Sequence, residues 1–420
     1  MDANENGQTK QTIKNCTIAL ENDPLLKGKI CLNELSGMID LIGEVDWERS
    51  WDTMDDIDRS HIMMRLEEAY GLSSEKKIDR AITIVSNKNR YHPIRDELNS
   101  LKWDGIERVR YSLYHFFGAE PSEMSYEALK LFMLGAINRV FHPGCKFETM
   151  LCLVGPTQGT GKSTFMRFLA IRDEWFTDDI KHLDDERIFQ KLQGHWICEL
   201  PEMLAAINAR NVEDIKSFLS RQRDNYRIPY DKYAKDRPRQ CVFAGTSNKK
   251  EFLPPDRSGN RRFIPVEVHE ENAEVHILDD EEESRAYILQ MWAEIMEIYK
   301  SGDFKLTLPK HLEKELVSYQ EYFSPEDYDA SAIIDFMNTT QEKYVCSWMI
   351  YNQVLGHPIG ERPLKWQSNA INEVIGKLPG WEQVKTHQFE HYGTQRAWKK
   401  IPADDGFVPV TDQLEIPFIN

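Results

Sequence analysis

A chain of 420 residues exceeds the roughly 100 to 200 that one compact core organises, so it should divide into several folding units. With 41% hydrophobic and 29% charged residues it has the means to build cores. A mean hydropathy of -0.56, with no apolar run near the roughly 20 residues a bilayer demands, excludes a membrane span and implies a soluble protein. The net charge of -17 argues against a protein that coats nucleic acid indiscriminately.

Residues 1–14 are polar and lack the apolar centre of a secretory signal, so the chain is expected to stay in the cytoplasm. Its seven cysteines are scattered and form no C-x-x-C pair, which points to buried thiols rather than a disulfide or zinc framework. Residues 1–110 mix short apolar runs, turn signals and a helical pattern (Ile62, Leu66, Ala69, Tyr70), and read as a small α/β accessory unit. Helical spacing through Tyr126, Leu129, Phe132 and Ile137 follows and breaks at His142-Pro143-Gly144.

From there the pattern becomes that of a mainly parallel sheet covered by helices, the expected core spanning 111–275. Met150 to Val154 (MLCLV) is a strand-length apolar run ended by Gly155-Pro156. Gly155-Pro-Thr-Gln-Gly159-Thr160-Gly161-Lys162-Ser163-Thr164 comes next, and a helical stretch succeeds it. Strand, glycine turn and helix in that order look like a P-loop, in which backbone N–H groups would cradle the phosphates of ATP, Lys162 would reach the outer phosphates and Ser163 would hold Mg²⁺. A chance glycine turn is the alternative. In G-x-x-x-x-G-K-S the first glycine would fall at 156. Here it stands at 155, which predicts a loop one residue longer.

Further strands are expected at 195–200, 240–246 and 262–268, the last at an edge because of Pro265. Hydrolysis also needs carboxylates at a neighbouring strand tip, and Glu199 and Glu202 stand there, Glu199 on the magnesium side and Glu202 as the water-orienting base. Strand parity sets them on opposite faces unless the strand stops near Leu200, which Pro201 favours. Surface carboxylates on a loop are the alternative. Asn248, beyond the third strand, suits a contact to water or the γ-phosphate, or else a turn cap. Arg261 and Arg262, behind a Ser-Gly-Asn turn, suit phosphate charge, or else are plain surface residues.

Between Lys216 and Arg262 the chain carries 13 Lys/Arg against 5 Asp/Glu. That excess, interleaved with tyrosines, suits single-stranded DNA through Tyr230, Lys232, Tyr233, Lys235, Arg237 and Arg239, or else makes a solvated face. Helical periodicity resumes through Tyr287, Met291, Ile295 and Tyr299, giving a helical subdomain over 276–335. Residues 336–420 read as helices followed by a β-hairpin, a winged-helix-like region.

These blocks resemble the virulence-associated protein E family of phage and genomic-island proteins, which is related to superfamily 3 helicases within the AAA+ ATPases. The resemblance is carried by Tyr91-His-Pro-Ile-Arg-Asp-Glu-Leu, Lys102-Trp103-Asp104-Gly105, the P-loop, Glu199-Leu-Pro-Glu202, Pro238-Arg239-Gln240, the Thr246 to Phe263 block and Tyr392-Gly-Thr-Gln-Arg396-Ala-Trp398. It implies a hexameric ring ATPase that moves along single-stranded or forked DNA during replication of a mobile element. It assigns Glu199 and Glu202 to the second Walker motif, Asn248 to sensor 1 and Arg261-Arg262 to the arginine finger. Some relatives carry a primase domain upstream. The N-terminal part here is too short for one, so priming is expected from a separate partner. Two other functions fit the same residues: an ATP-controlled initiator or loader that recognises an origin without unwinding, and an ATPase that acts on host or competing-phage proteins.

Overall fold

Five apolar segments pair into a single parallel sheet. In the computed structural model its strands lie in the order Phe263–Glu267, Met150–Val154, Val242–Ser247, Ile197–Pro201, Phe176–Thr177. The structure describes residues 1–180, 188–201, 212–226, 234–250, 252–253, 260–323 and 328–401. The chain folds as two units, Met1–Pro325 and Glu326–Asn420.

Alternation along the strands sorts their side chains onto two faces. Leu151, Leu153, Ile197, Ala244 and Ile264 belong to one apolar cluster, and Met150, Cys152, Cys198, Leu200 and Phe243 to the other. Helices Glu123–Phe141, Lys162–Leu169 and Glu281–Ser301 cover the first face. Two buried tryptophans lock that layer with their rings 4.6 Å apart: Trp196 Nε1 donates to Ala136 O and Trp292 Nε1 to Leu169 O. Both polar handles are thereby satisfied, as burial requires. Phe263–Glu267 lies at the sheet edge, where Pro265 costs no ladder bond on the open side. The two-residue strand Phe176–Thr177 at the other edge had no signal in the sequence.

Residues 1 to about 100 build a three-stranded sheet, with Ile30–Asn33 between Ile39–Leu41 and Arg90–Tyr91. Helices Ile13–Asn22, Asp56–Tyr70 and Glu75–Lys88 close over their own core of Leu20, Ile62, Leu66, Ile78 and Ile82. The helix Asp56–Tyr70 begins in a capping box between Asp55 and Asp58 and ends at Gly71, whose φ of 65° suits glycine.

In the second unit, helices Tyr328–Thr339, Ser347–Gln353 and Lys365–Gly376 precede a hairpin of Trp381–Phe389 and Gly393–Lys400, to which Tyr344–Val345 adds a third strand. Ile333, Ile350, Ile371, Ile375 and Trp398 form its core, and Trp398 Nε1 donates to Asn372 Oδ1. Among the described residues no helix is long and apolar enough to cross a membrane.

Candidate nucleotide site

The strand Met150–Val154 stops where Gly155 N donates to Ser247 O at 3.0 Å. Residues 156–160 then form the turn, and Gly161 caps the helix Lys162–Leu169. Gly159 and Gly161 sit at φ 79° and 82°, in the left-handed region that favours glycine. Space also dictates Gly161, since a Cβ there would lie 2.4 Å from Ile277 Cγ2. A cap without a side chain leaves the first helical turn to an outside acceptor, the arrangement an anion exploits.

The Lys162 side chain is buried under this turn. Its ammonium donates to Thr157 O at 2.9 Å, Thr160 Oγ1 at 3.1 Å and Gly155 O at 3.3 Å. Burial pushes its pKa down, while Glu270 and Glu199 oppose that shift.

Glu199 shares the sheet face of Ile197 and Ala244, which points it at the helix that follows the turn. Ser163 Oγ donates to Glu199 Oε1 at 2.7 Å, and Thr246 Oγ1 donates to the same oxygen at 2.5 Å. The residue is 0% exposed, and its other oxygen, Oε2, has no hydrogen-bond partner among the described residues. Burial pushes the carboxyl pKa up, the Thr246 and Ser163 hydroxyls pull it back, and nearby Asp178 adds to the rise. A buried carboxylate with one unused oxygen beside a hydroxyl is a hard, oxygen-only donor set of the kind Mg²⁺ prefers. Among the described residues no three His, Cys, Asp or Glu side chains are arranged to hold a metal ion, so a cation here would complete its shell with phosphate and water oxygens.

A cavity of about 240 Å³ adjoins the turn, walled by Phe116, Phe117, Thr160, Glu270, Glu274 and His276. His276 Nε2 lies 3.0 Å from Gly159 O, so the segment after the edge strand braces the glycine turn. Thr164 follows Ser163 in the first helical turn, half-buried. Asn248 sits half-buried in the bend just beyond Ser247. The strand carrying Glu199 runs one residue further than parity suggested, because Pro201 still pairs in register with Thr246. Glu202 lies outside the described residues, as do Tyr230, Lys232 and Tyr233.

The remaining candidates cluster at the opposite end of the strands. Arg261 and Arg262 immediately precede Phe263, which pairs with Met150, whereas the turn follows Val154. A five-residue strand spans about 16 Å, so neither guanidinium reaches the turn of its own subunit. Glu148 holds both, at 3.4 Å from Arg261 Nη2 and 3.2 Å from Arg262 Nη2. Burial raises the Glu148 pKa, but the Ser220 hydroxyl and the two guanidinium groups outweigh it and hold the carboxyl below its usual value. The Arg261 side chain is 71% exposed, against 16% for Arg262.

Strands Arg223–Tyr226 and Lys235–Pro238 form an antiparallel hairpin. Lys235 is exposed on it, and Arg237 lies over the Tyr226 ring at 5.3 Å. Arg239 corrects the sequence reading: it is 3% exposed, donates to both Asp224 oxygens at 2.9 and 2.6 Å and to Phe218 O, and roots the hairpin instead of facing a DNA strand. Sequence reasoning missed Asp224 as its partner, and missed Thr246 altogether. Each contact joins residues far apart in sequence, and only the apolar run ending at 246 hinted at the second.

The profile of the family described as Virulence-associated protein E-like domain matches residues 98–325. Among solved structures, the A-form apo structure of the NrS-1 C-terminal region (305–718) is similar at a TM-score of 0.50 and 14% identity, covering 93% of this chain and 100% of that one. A second apo structure of that region gives 0.48 and 15%, with 94% and 100% covered. At such identities the likeness concerns the fold alone. No curated protein matches the chain.

Proposed function

The chain belongs to the virulence-associated protein E-like family, and from that membership we propose that it is an ATP-hydrolysing DNA helicase serving the replication of a phage or mobile element. One observation carries this reading: Lys162, Ser163, Glu199 and Thr246 converge at the ends of three neighbouring parallel strands, with an unpartnered carboxylate oxygen among them. The sheet order, with the strand of Thr246 inserted between those of the glycine turn and Glu199, agrees with an AAA+ arrangement.

ATP would place its outer phosphates over the turn 155–161, against the first turn of the helix from Lys162. Lys162 would exchange its loop acceptors for phosphate oxygens, a swap between sites of similar geometry. Ser163 and Glu199 would hold Mg²⁺, which when bound neutralises phosphate charge. Thr246 keeps the Glu199 carboxylate aimed at Ser163. Glu202 would take the proton of the attacking water as its oxygen bonds to the γ-phosphorus and ADP departs with the bridging electron pair, while Asn248 orients that water. Arg261 and Arg262, too far from their own turn, would serve the site of a neighbouring subunit in a hexameric ring. The hairpin residues Lys235 and Arg237, together with Tyr230, Lys232 and Tyr233 of the same basic segment, would grip the strand.

The helices and hairpin of the second unit favour a second reading, an initiator that binds duplex DNA through a winged-helix-like region and loads or melts without unwinding. Phosphate release and strand separation on a forked substrate decide between them. ATP-dependent unwinding supports the helicase, whereas duplex footprinting without unwinding replaces it with the initiator.

A further inference from the structure

The two sequence blocks at 91–98 and 238–240 meet in space. His92 caps the helix Pro93–Ser100 by accepting from Arg95 N through Nδ1 at 3.3 Å, which leaves the ring proton on Nε2. That nitrogen donates to Gln240 Oε1 at 2.8 Å, and Gln240 Nε2 in turn donates to Glu34 O at 2.8 Å. Gln193 Nε2 donates to Ser36 O nearby. Arg95 ties the same turn down through Glu34 at 3.2 Å and through Val140 O. The turn 34–36 therefore clasps the residues just ahead of two adjacent strands: Gln193 ahead of Ile197–Pro201 and Gln240 ahead of Val242–Ser247. Those strands carry Glu199 and Thr246 towards their far ends.

On the other side of Gln240 stands the hairpin, rooted by the Arg239–Asp224 pair and by Gly144 N donating to Arg239 O. Above this root a cavity of about 190 Å³ separates the shaft residues Tyr226, Lys235 and Arg237 from the turn residues Ser36 and Gly37.

We infer that the N-terminal region acts as a fixed clamp on the hairpin root, and that Gln240 is the positioning residue through which hairpin movement on single-stranded DNA reaches Thr246 and Glu199. A strand bonded on both sides moves as a rigid element. Held at Gln240, a tilting hairpin shifts the strand tip. Released there, it tilts without disturbing the nucleotide site. The inference rests on the motor reading of that site.

The test compares the full parent chain with Gln240→Met and Gln193→Met, which keep side-chain length and lose the hydrogen bonds to the clamp. ATP turnover is measured with and without a single-stranded oligonucleotide, alongside amide exchange over 235–247. Turnover without DNA is expected to stay within about twofold of the parent, while stimulation by DNA falls at least about fivefold, the low end of allosteric couplings. Exchange over 242–247 is expected to quicken in both variants. Undiminished stimulation in Gln240→Met overturns the inference, and so does an equal loss of basal and stimulated turnover, the mark of a merely structural contact. If Gln240→Met does not fold, Gln193→Met decides alone. A parent that ignores ATP or DNA overturns the motor reading itself. The clamp is then judged by exchange, and unchanged rates over 242–247 overturn it.

Discussion

Two buried ionic sites occupy opposite ends of one parallel sheet. At the strand starts, Arg239 donates two short hydrogen bonds to the Asp224 carboxylate, and the third guanidinium contact goes to Phe218 O. At the strand ends, Lys162 leans on two loop carbonyls and a threonine hydroxyl, and Glu199 keeps one oxygen unpartnered. A saturated buried pair holds a shape, because removing either partner strands the other charge. An unsaturated site carries a standing desolvation cost that only an incoming ligand relieves. The difference separates the part of the sheet that builds the protein from the part proposed to bind a nucleotide.

The comparison is sharpened most by the pair of arginines near the strand starts, which unlike Arg239 is proposed to act in the site of a neighbouring subunit. Arg261→Ala with Arg262→Ala should lower ATP turnover by about 10³ to 10⁵, the range measured for arginine fingers. Mixing that variant with Lys162→Ala should restore part of it, since one of the two mixed interface orientations pairs an intact turn with an intact arginine. No recovery in verified mixed assemblies would count against the action between subunits. Next in size, Asp224→Ala should destabilise the chain by roughly 3–5 kcal/mol, as expected when a buried charge loses its partner. Denaturant unfolding reads the loss, and a change below about 1 kcal/mol would show that the pair is not the root of the hairpin.

Replacing Lys232, Lys235 and Arg237 together should reduce the slope of log affinity against log salt for single-stranded DNA by about two, at roughly 0.7 per lost phosphate contact. An unaltered slope would move the DNA path off the hairpin. The smallest effect concerns Glu199. Its carboxyl pKa is raised above 4.5, chiefly by burial, so above 4.5 this group holds its proton more in the folded chain than in the unfolded one and its contribution to stability falls with pH. Stability without nucleotide should therefore decline as pH rises from 4.5 through the raised value. Glu199→Gln should remove that decline and melt higher than the parent at neutral pH. Parallel pH curves for the two would contradict the assignment of Glu199 as an unsatisfied ligand.

Much of this was legible in the residues. The run MLCLV matches the strand Met150–Val154, Gly155 marks its end, and Pro265 foretold an edge. Strand, glycine turn and helix are neighbours in sequence, so local pattern sufficed. What escaped was non-local. Arg239 has the composition of a DNA-binding cation, and only its pairing with Asp224, fifteen positions away, buries it. Thr246 acquires its part from register, opposite Pro201, and period-2 alternation cannot say which strands adjoin. His92 and Gln240 stand 148 positions apart, and no spacing rule joins them.

The most direct measurement is a calorimetric titration of ATP into the parent and into Lys162→Ala, with and without Mg²⁺. The parent should bind ATP more tightly with Mg²⁺ than without, while Lys162→Ala binds far more weakly in either buffer. Equal affinity for ATP in parent and Lys162→Ala would contradict a triphosphate site at the turn 155–161.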